Sequence, residues 1–212
     1  ASNAIGPKTQ TMLDDWKAAL DAVVPAQGVF TAVFHPHGWS TPEQWVEFID
    51  YADKKYAKGV KFPTFREAHE RLEKNALAGH SLRAKGAGDN GVRILDGDAD
   101  GFMDVVIGAL QKQVTRVWRS REQRWQETKT PALIALQDGR VDVKCGVLRQ
   151  SGAATILTKA TILTSTKVDV WSFRNGAWEE DEQLGMARKW SVNFFTDNAG
   201  LGLRDFGSVR LR

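Results

Sequence analysis

Cysteine is nearly absent from this chain: Cys145 stands alone among 212 residues, so no internal disulfide can staple the fold. Long apolar runs are missing too. Nothing approaches the roughly 18 to 20 residues that span a bilayer, and the opening ASNAIGPKTQ lacks the basic-then-apolar layout of a secretory leader. A basic stripe of the kind that tracks a phosphate backbone is also lacking, because 29 basic and 26 acidic residues are interleaved to a net charge of +3. Nucleic acid is therefore not expected as a partner, nor is a membrane segment. Histidine occurs only at His35, His37, His69 and His80, and no Cys-x-x-Cys-His haem motif occurs. The first residue is alanine instead of methionine, which is read as a natural start lying elsewhere, and residues 1–4 are kept out of fold reasoning.

What is present is an ordinary globular composition, 42% hydrophobic and 26% charged, with eight tryptophans that need somewhere to pack. In the first eighty residues the apolar period alternates. Leu13, Trp16, Leu20, Val23 and Val24 share a helical face that stops at Pro25 and Gly28. GVFTAVF, from Gly28 to Phe34, is a β-branched run of strand length, as expected of a strand covered on both faces. Thr41-Pro42-Glu43 is a helix start, followed by Trp45, Phe48, Ile49 and Ala52 at helical spacing. A short VKF strand and a helix capped by Thr64, with Phe65, Ala68, Leu72 and Ala76 along one side, complete the pattern. Helix, strand, helix, strand, helix predicts an α/β segment with parallel strands, whose ligands sit at strand carboxyl ends. His35 and His37 stand at such an end.

The densest chemistry lies further on, in DGDADGFMD from Asp96 to Asp104, where four carboxylates surround two glycines within nine residues. Ionised together they repel, and a hard cation that takes oxygen ligands at about 2.3 to 2.6 Å relieves that repulsion. Calcium fits the spacing. Asp96, Asp98 and Asp100 would give side-chain oxygens, Phe102 its backbone carbonyl, and Asp104 would close the ring, with Gly101 at the sharp turn. The twelfth position is Ile107 instead of glutamate, and the flanks VRIL and DVVIG are β-branched, so the loop is expected to join two strands, not two helices.

Two resemblances follow from these residues. GVFTAVFHPHGWSTPEQWVEFIDYADKKYAKGVKFPTFREAHERL resembles the closing strands and helices of the polysaccharide deacetylase family, metal-dependent carbohydrate esterases on a distorted (β/α) barrel. That resemblance implies that His35, or as second choice His37, is the late-strand histidine that acts as general acid or positions substrate. A strand-end histidine bonding a neighbouring backbone group is the alternative. The family's Asp-Asp pair and His-x-x-x-His metal motif have no match here, so this chain is not expected to deacetylate by itself, and a catalytic divalent metal would belong only to a longer protein.

NGVRILDGDADGFMDVVIG resembles the FG-GAP or VCBS calcium-loop repeats that form β-propeller blades in extracellular proteins. Periodicity agrees: VWRSREQRW and VWSFRNGAW share a Trp-x6-Trp frame with a central arginine, and Trp118 and Trp125 recur 53 positions on as Trp171 and Trp178. Each frame predicts a hairpin, with Asn175-Gly176 as the second turn and the tryptophans packed between blades. The second unit, entered at Gly146-Val147, lacks aspartates and is expected to bind no calcium, and GSVRLR at 207–212 reads as the start of a third.

The expectation is therefore a piece of a longer polypeptide. Residues 1–85 would be a partial deacetylase-like α/β region, and 86–212 an all-β region of blade-like antiparallel repeats carrying structural Ca2+, with 86–90 as the junction. Calcium near millimolar places such a protein outside the cell or in the periplasm. A polysaccharide or protein ligand is the expected partner, and a non-enzymatic adhesion or interaction scaffold is the rival reading.

Overall fold

The structure, a computed structural model, describes residues 9–33, 38–135, 143–162 and 165–186. It is a mixed α/β chain of helices and two four-stranded antiparallel sheets, in two compact units that part between Glu67 and Ala68. The junction read at 86–90 is thus not where the units separate. Residues 207–212, where a third repeat was expected to begin, lie outside the described residues.

The described part of the first unit is helical. α1 (Gln10–Val23) starts where Thr9 accepts a hydrogen bond from the Met12 amide at 3.3 Å. α2 (Pro42–Tyr56) starts at a reciprocal capping box between Thr41 and Gln44, with Pro42 in its first turn. The two helices bury Leu13, Leu20, Phe48 and Ala52 against each other, flanked by Trp16, Phe30, Trp45 and Tyr56. The Trp16 and Trp45 ring centroids lie 4.6 Å apart. Asp21 ties the pair from outside by accepting from Tyr51, Tyr56 and Lys55, and these partners, Lys55 first, lower its pKa to about 2.

The two expected strands do not form among the described residues. Residues 28–33 and 60–62 have no ladder partner, and Val29 and Val33 are 79% and 81% exposed. β-branched residues make a strand only when a neighbouring strand supplies hydrogen bonds and side-chain cover, and the described residues of the first unit offer none. The described residues of this unit are therefore helical, with no strand pairing among them.

α3 (Phe65–Arg71) widens into one π turn (Leu72–Ala76), and in the second unit that turn packs on a sheet. The first sheet runs β1 (Val92–Leu95), β2 (Asp104–Ala109), β3 (Lys112–Arg119), β4 (Arg124–Thr128) in spatial order, and the second runs β5 (Val143–Gly146), β6 (Thr155–Ile162), β7 (Ser165–Arg174), β8 (Ala177–Glu180). β2 is buried on both faces, and its alternation sorts its side chains. Val105, Ile107 and Ala109 join Leu72, Ala76, Leu77 and Leu82, whereas Val106 joins Leu95, Ile134, Val143 and Ile156 of the cluster shared by the sheets. Of the tryptophans expected between sheets, Trp171 and Trp178 pack against that shared cluster, whereas Trp125 packs against the α3-side cluster; the Trp178 indole donates to Thr115 Oγ1 at 2.7 Å. Neither a closed barrel nor a propeller ring is present among the described residues.

Register corrects the repeat frame. Trp118 faces Trp125, but Trp171 faces Glu180 and it is Phe173 that faces Trp178. The first hairpin turns over residues 120–123, and the second over Asn175-Gly176 alone, both at positive φ as a tight two-residue turn requires. Arg119, not the central Arg121, is thus the counterpart of Arg174. Likewise Gly146 ends β5 where Leu95 ends β1, so Gly146-Val147 is not the second unit's equivalent of its predecessor's Gly91-Val92.

Two cations of β3 close the open carbonyl end of the α3 segment. Lys112 Nζ donates to the Ala78 carbonyl at 3.0 Å, and Arg116 Nη1 to those of Asn75, at 2.5 Å, and Ala76. Arg116 also bonds Glu127 at 2.8 Å and stacks over Trp125. Since Arg116 is 8% exposed, Arg116→Met, which removes the donor to both carbonyls and to Glu127, should lower the unfolding free energy by about 2 kcal/mol, measured by urea denaturation.

Candidate metal centre

The acidic loop is closed by one strand pair, Leu95 opposite Asp104, which fixes its two ends side by side. Asp104, the first residue of β2, is fully buried. Its Oδ2 accepts from the Gly97 amide at 2.9 Å and its Oδ1 from the Trp118 amide at 2.8 Å, so one carboxylate ties the loop to β3. A Cβ at position 97 would stand 2.8 Å from Asp104 Oδ2, so any larger residue there would have to push that carboxylate aside.

Within the loop, Asp96 accepts from the Asp100 amide at 3.1 Å and the Gly101 amide at 3.0 Å, and Asp100 accepts from the Phe102 amide at 2.9 Å. Left-handed conformations at Ala99 and Gly101 fold the chain tightly enough for this. Asp98 turns inward. Its Oδ2 accepts from Arg119 Nη1 at 2.5 Å, while its Oδ1 is sealed from solvent and has no hydrogen-bond partner.

Carboxylate oxygens of Asp96, Asp98 and Asp104 lie within 4.8 Å of one another. Three of the four expected aspartates are thus brought together. Asp100 is not part of the cluster, and its carboxylate is engaged on Phe102. His35 and His37 lie outside the described residues. Of the other histidines, His69 pairs with Glu73 on the helix, at 3.6 Å, and His80 bonds the Asn90 carbonyl at 3.0 Å.

The electrostatics fit a cation. Burial pushes the Asp104 carboxyl up to about 7, against the two amides that favour its charge, and the neighbouring charges of Asp98 and Asp100 add to the rise. Asp96 is also raised, chiefly by burial. An all-carboxylate oxygen set with one sealed, unpartnered oxygen suits a hard divalent ion better than a soft one.

The second sheet repeats the architecture without the acids. Gly146 faces Thr155 as Leu95 faces Asp104, so loops 96–103 and 147–154 have equal length. Position by position, Asp96, Asp98, Asp100 and Asp104 become Val147, Arg149, Ser151 and Thr155, and Gly101 becomes Gly152, which keeps its positive φ. Thr155 Oγ1 is buried without a partner, and the Phe173 amide, counterpart of Trp118, bonds the Ala154 carbonyl instead. Arg149 lies against Asp181, which also accepts from Ser172, Arg174 and the Leu184 amide. Arg149 in particular holds the Asp181 carboxyl well below the usual range. Sequence spacing located the acidic loop, but it missed Arg119 and the Arg149–Asp181 pair, whose members lie 21 and 32 positions apart.

The chain matches no protein-family model, no curated protein and no solved structure.

A raised carboxyl pKa means that the folded state holds its proton more tightly than the unfolded chain does. Ionising Asp104 therefore costs stability, progressively from about pH 4 up to about pH 7. In chelator, the melting temperature should fall as pH rises from 5 to 8, and Asp104→Asn should flatten that slope; an equal slope in both proteins excludes Asp104 as its source.

Proposed function

We propose that residues 68–186 form a calcium-stabilised pair of blade-like β-repeats of the FG-GAP or VCBS kind, serving as a rigid extracellular or periplasmic surface for a polysaccharide or protein ligand. One observation carries this reading: three aspartates converge while one of their oxygens, Asp98 Oδ1, is sealed without a partner. Asp96, Asp98 and Asp104 would hold the ion, with the Phe102 carbonyl and Asp100 completing the shell. Bound calcium would supply positive charge that neutralises the loop and fixes the β1–β2 connection. Loops of this charge work where calcium is about 0.1 to 1 mM, outside the cytosol.

The non-enzymatic scaffold is the form that the geometry supports best. A second reading, in which residues 11–77 are the closing part of a carbohydrate esterase barrel with His35 or His37 in its site, is favoured by one feature. Val29, Val33 and Phe62, in the two runs that read as strands, are 79%, 81% and 62% exposed, as side chains of a strand lacking its neighbours would be.

Calcium chloride should raise the melting temperature with the logarithm of its concentration, adding about 2.7 kcal/mol at a hundredfold excess over the dissociation constant. Asp98→Ala should abolish this response, and chelator should reverse it in the wild type. A melting temperature indifferent to calcium sinks the proposal.

A further inference from the structure

Arg119 stands beside the candidate centre with a job that charge balance defines. It extends from the last ladder pair of β3, where its Nε donates to Gln126 Oε1 at 2.9 Å and its Nη1 meets Asp98 Oδ2 at 2.5 Å. Side-chain exposures of 24% for Arg119 and 21% for Asp98 mean that both charges are largely withdrawn from water. The guanidinium therefore covers one oxygen of the only aspartate in the cluster whose other oxygen has no partner.

The second sheet shows what a guanidinium does at this place. Where the first loop has Asp98, the second has Arg149, which lies on the buried Asp181 together with Arg174, the counterpart of Arg119. The acid-free loop thus holds its cation permanently, as a side chain. In the first loop the arginine comes from the neighbouring strand, and its contact is a single ion pair on an oxygen that a metal would use.

We propose that Arg119 is a built-in rival of the cation: it neutralises Asp98 in the metal-free chain, and a divalent ion engages Asp98 only by displacing it. This rests on the calcium reading above and adds its regulation, since affinity is then set by a competition inside the protein. Arg119 is a positioning residue here, not a ligand. A positive charge this close to the site opposes a second one, so removing it should favour the ion.

Calorimetric titration of calcium chloride into metal-stripped wild type, Arg119→Gln and Arg119→Lys tests this. The dissociation constant should fall about ten-fold in Arg119→Gln and stay within about two-fold of wild type in Arg119→Lys, which keeps the charge. In chelator, Arg119→Gln should melt below wild type, and saturating calcium should close that gap. Binding that is unchanged or weaker in Arg119→Gln overturns the rivalry while leaving the calcium site standing. Uptake by Arg119→Gln but not by wild type upholds the rivalry and shows that the native loop is held shut. If neither takes calcium, both readings fall.

Discussion

The second unit depends on one buried carboxylate. Asp104 receives the amides of Gly97 and Trp118 and so joins the loop after β1 to the third strand. Gly97 passes the connection on, since its carbonyl accepts from the Ala154 amide at 2.9 Å, and the Ala154 carbonyl accepts from Phe173. Four segments of two sheets are thereby strung on a short chain of hydrogen bonds that begins at an acid. Burial and neighbouring acids make that charge costly to hold, and two amides offset only part of the cost. The loop is therefore under electrostatic tension that a positive charge relieves.

The two sheets relieve it differently while keeping the same backbone plan. Strand order, loop length and the left-handed glycine before the second strand are shared. In the second sheet a carbonyl replaces the carboxylate as acceptor for the β7 amide, and Arg149 brings its own charge to Asp181, whose lowered pKa reflects a well-satisfied anion. A fold built on main-chain hydrogen bonds thus accepts either a carboxylate or a carbonyl at this point of the loop while keeping its strand order. The acidic loop instead meets part of its negative charge with Arg119, which reaches Asp98 from β3.

Features governed by near neighbours in the chain were legible from sequence. The apolar face of α1, the capped start of α2, the Asn175-Gly176 turn and the strands flanking the acidic loop follow from residues a few positions apart. Features governed by distant partners were not. Residues 28–34 have strand composition, but composition supplies no ladder, and 28–33 stay unpaired. The tryptophan frame held its 53-residue interval while the ladder slipped, because a turn of two residues replaced one of four and changed which residues face each other. Arg119 was invisible as a partner of Asp98 because only the sheet brings β3 to the loop.

The cover on the first sheet has a further consequence. In a ring of blades every sheet meets a sheet on both faces, yet here Leu72, Ala76, Leu77 and Leu82 occupy the face of Val92, Val105 and Ile107, with Arg116 and Lys112 bolting that segment in place. One face of the first sheet is thus closed by the α3 segment, while its other face shares a core with the second sheet. A face covered in this way takes no second sheet unless the α3 segment is displaced, so the helix and its two cations decide which side of the sheet is open to stacking.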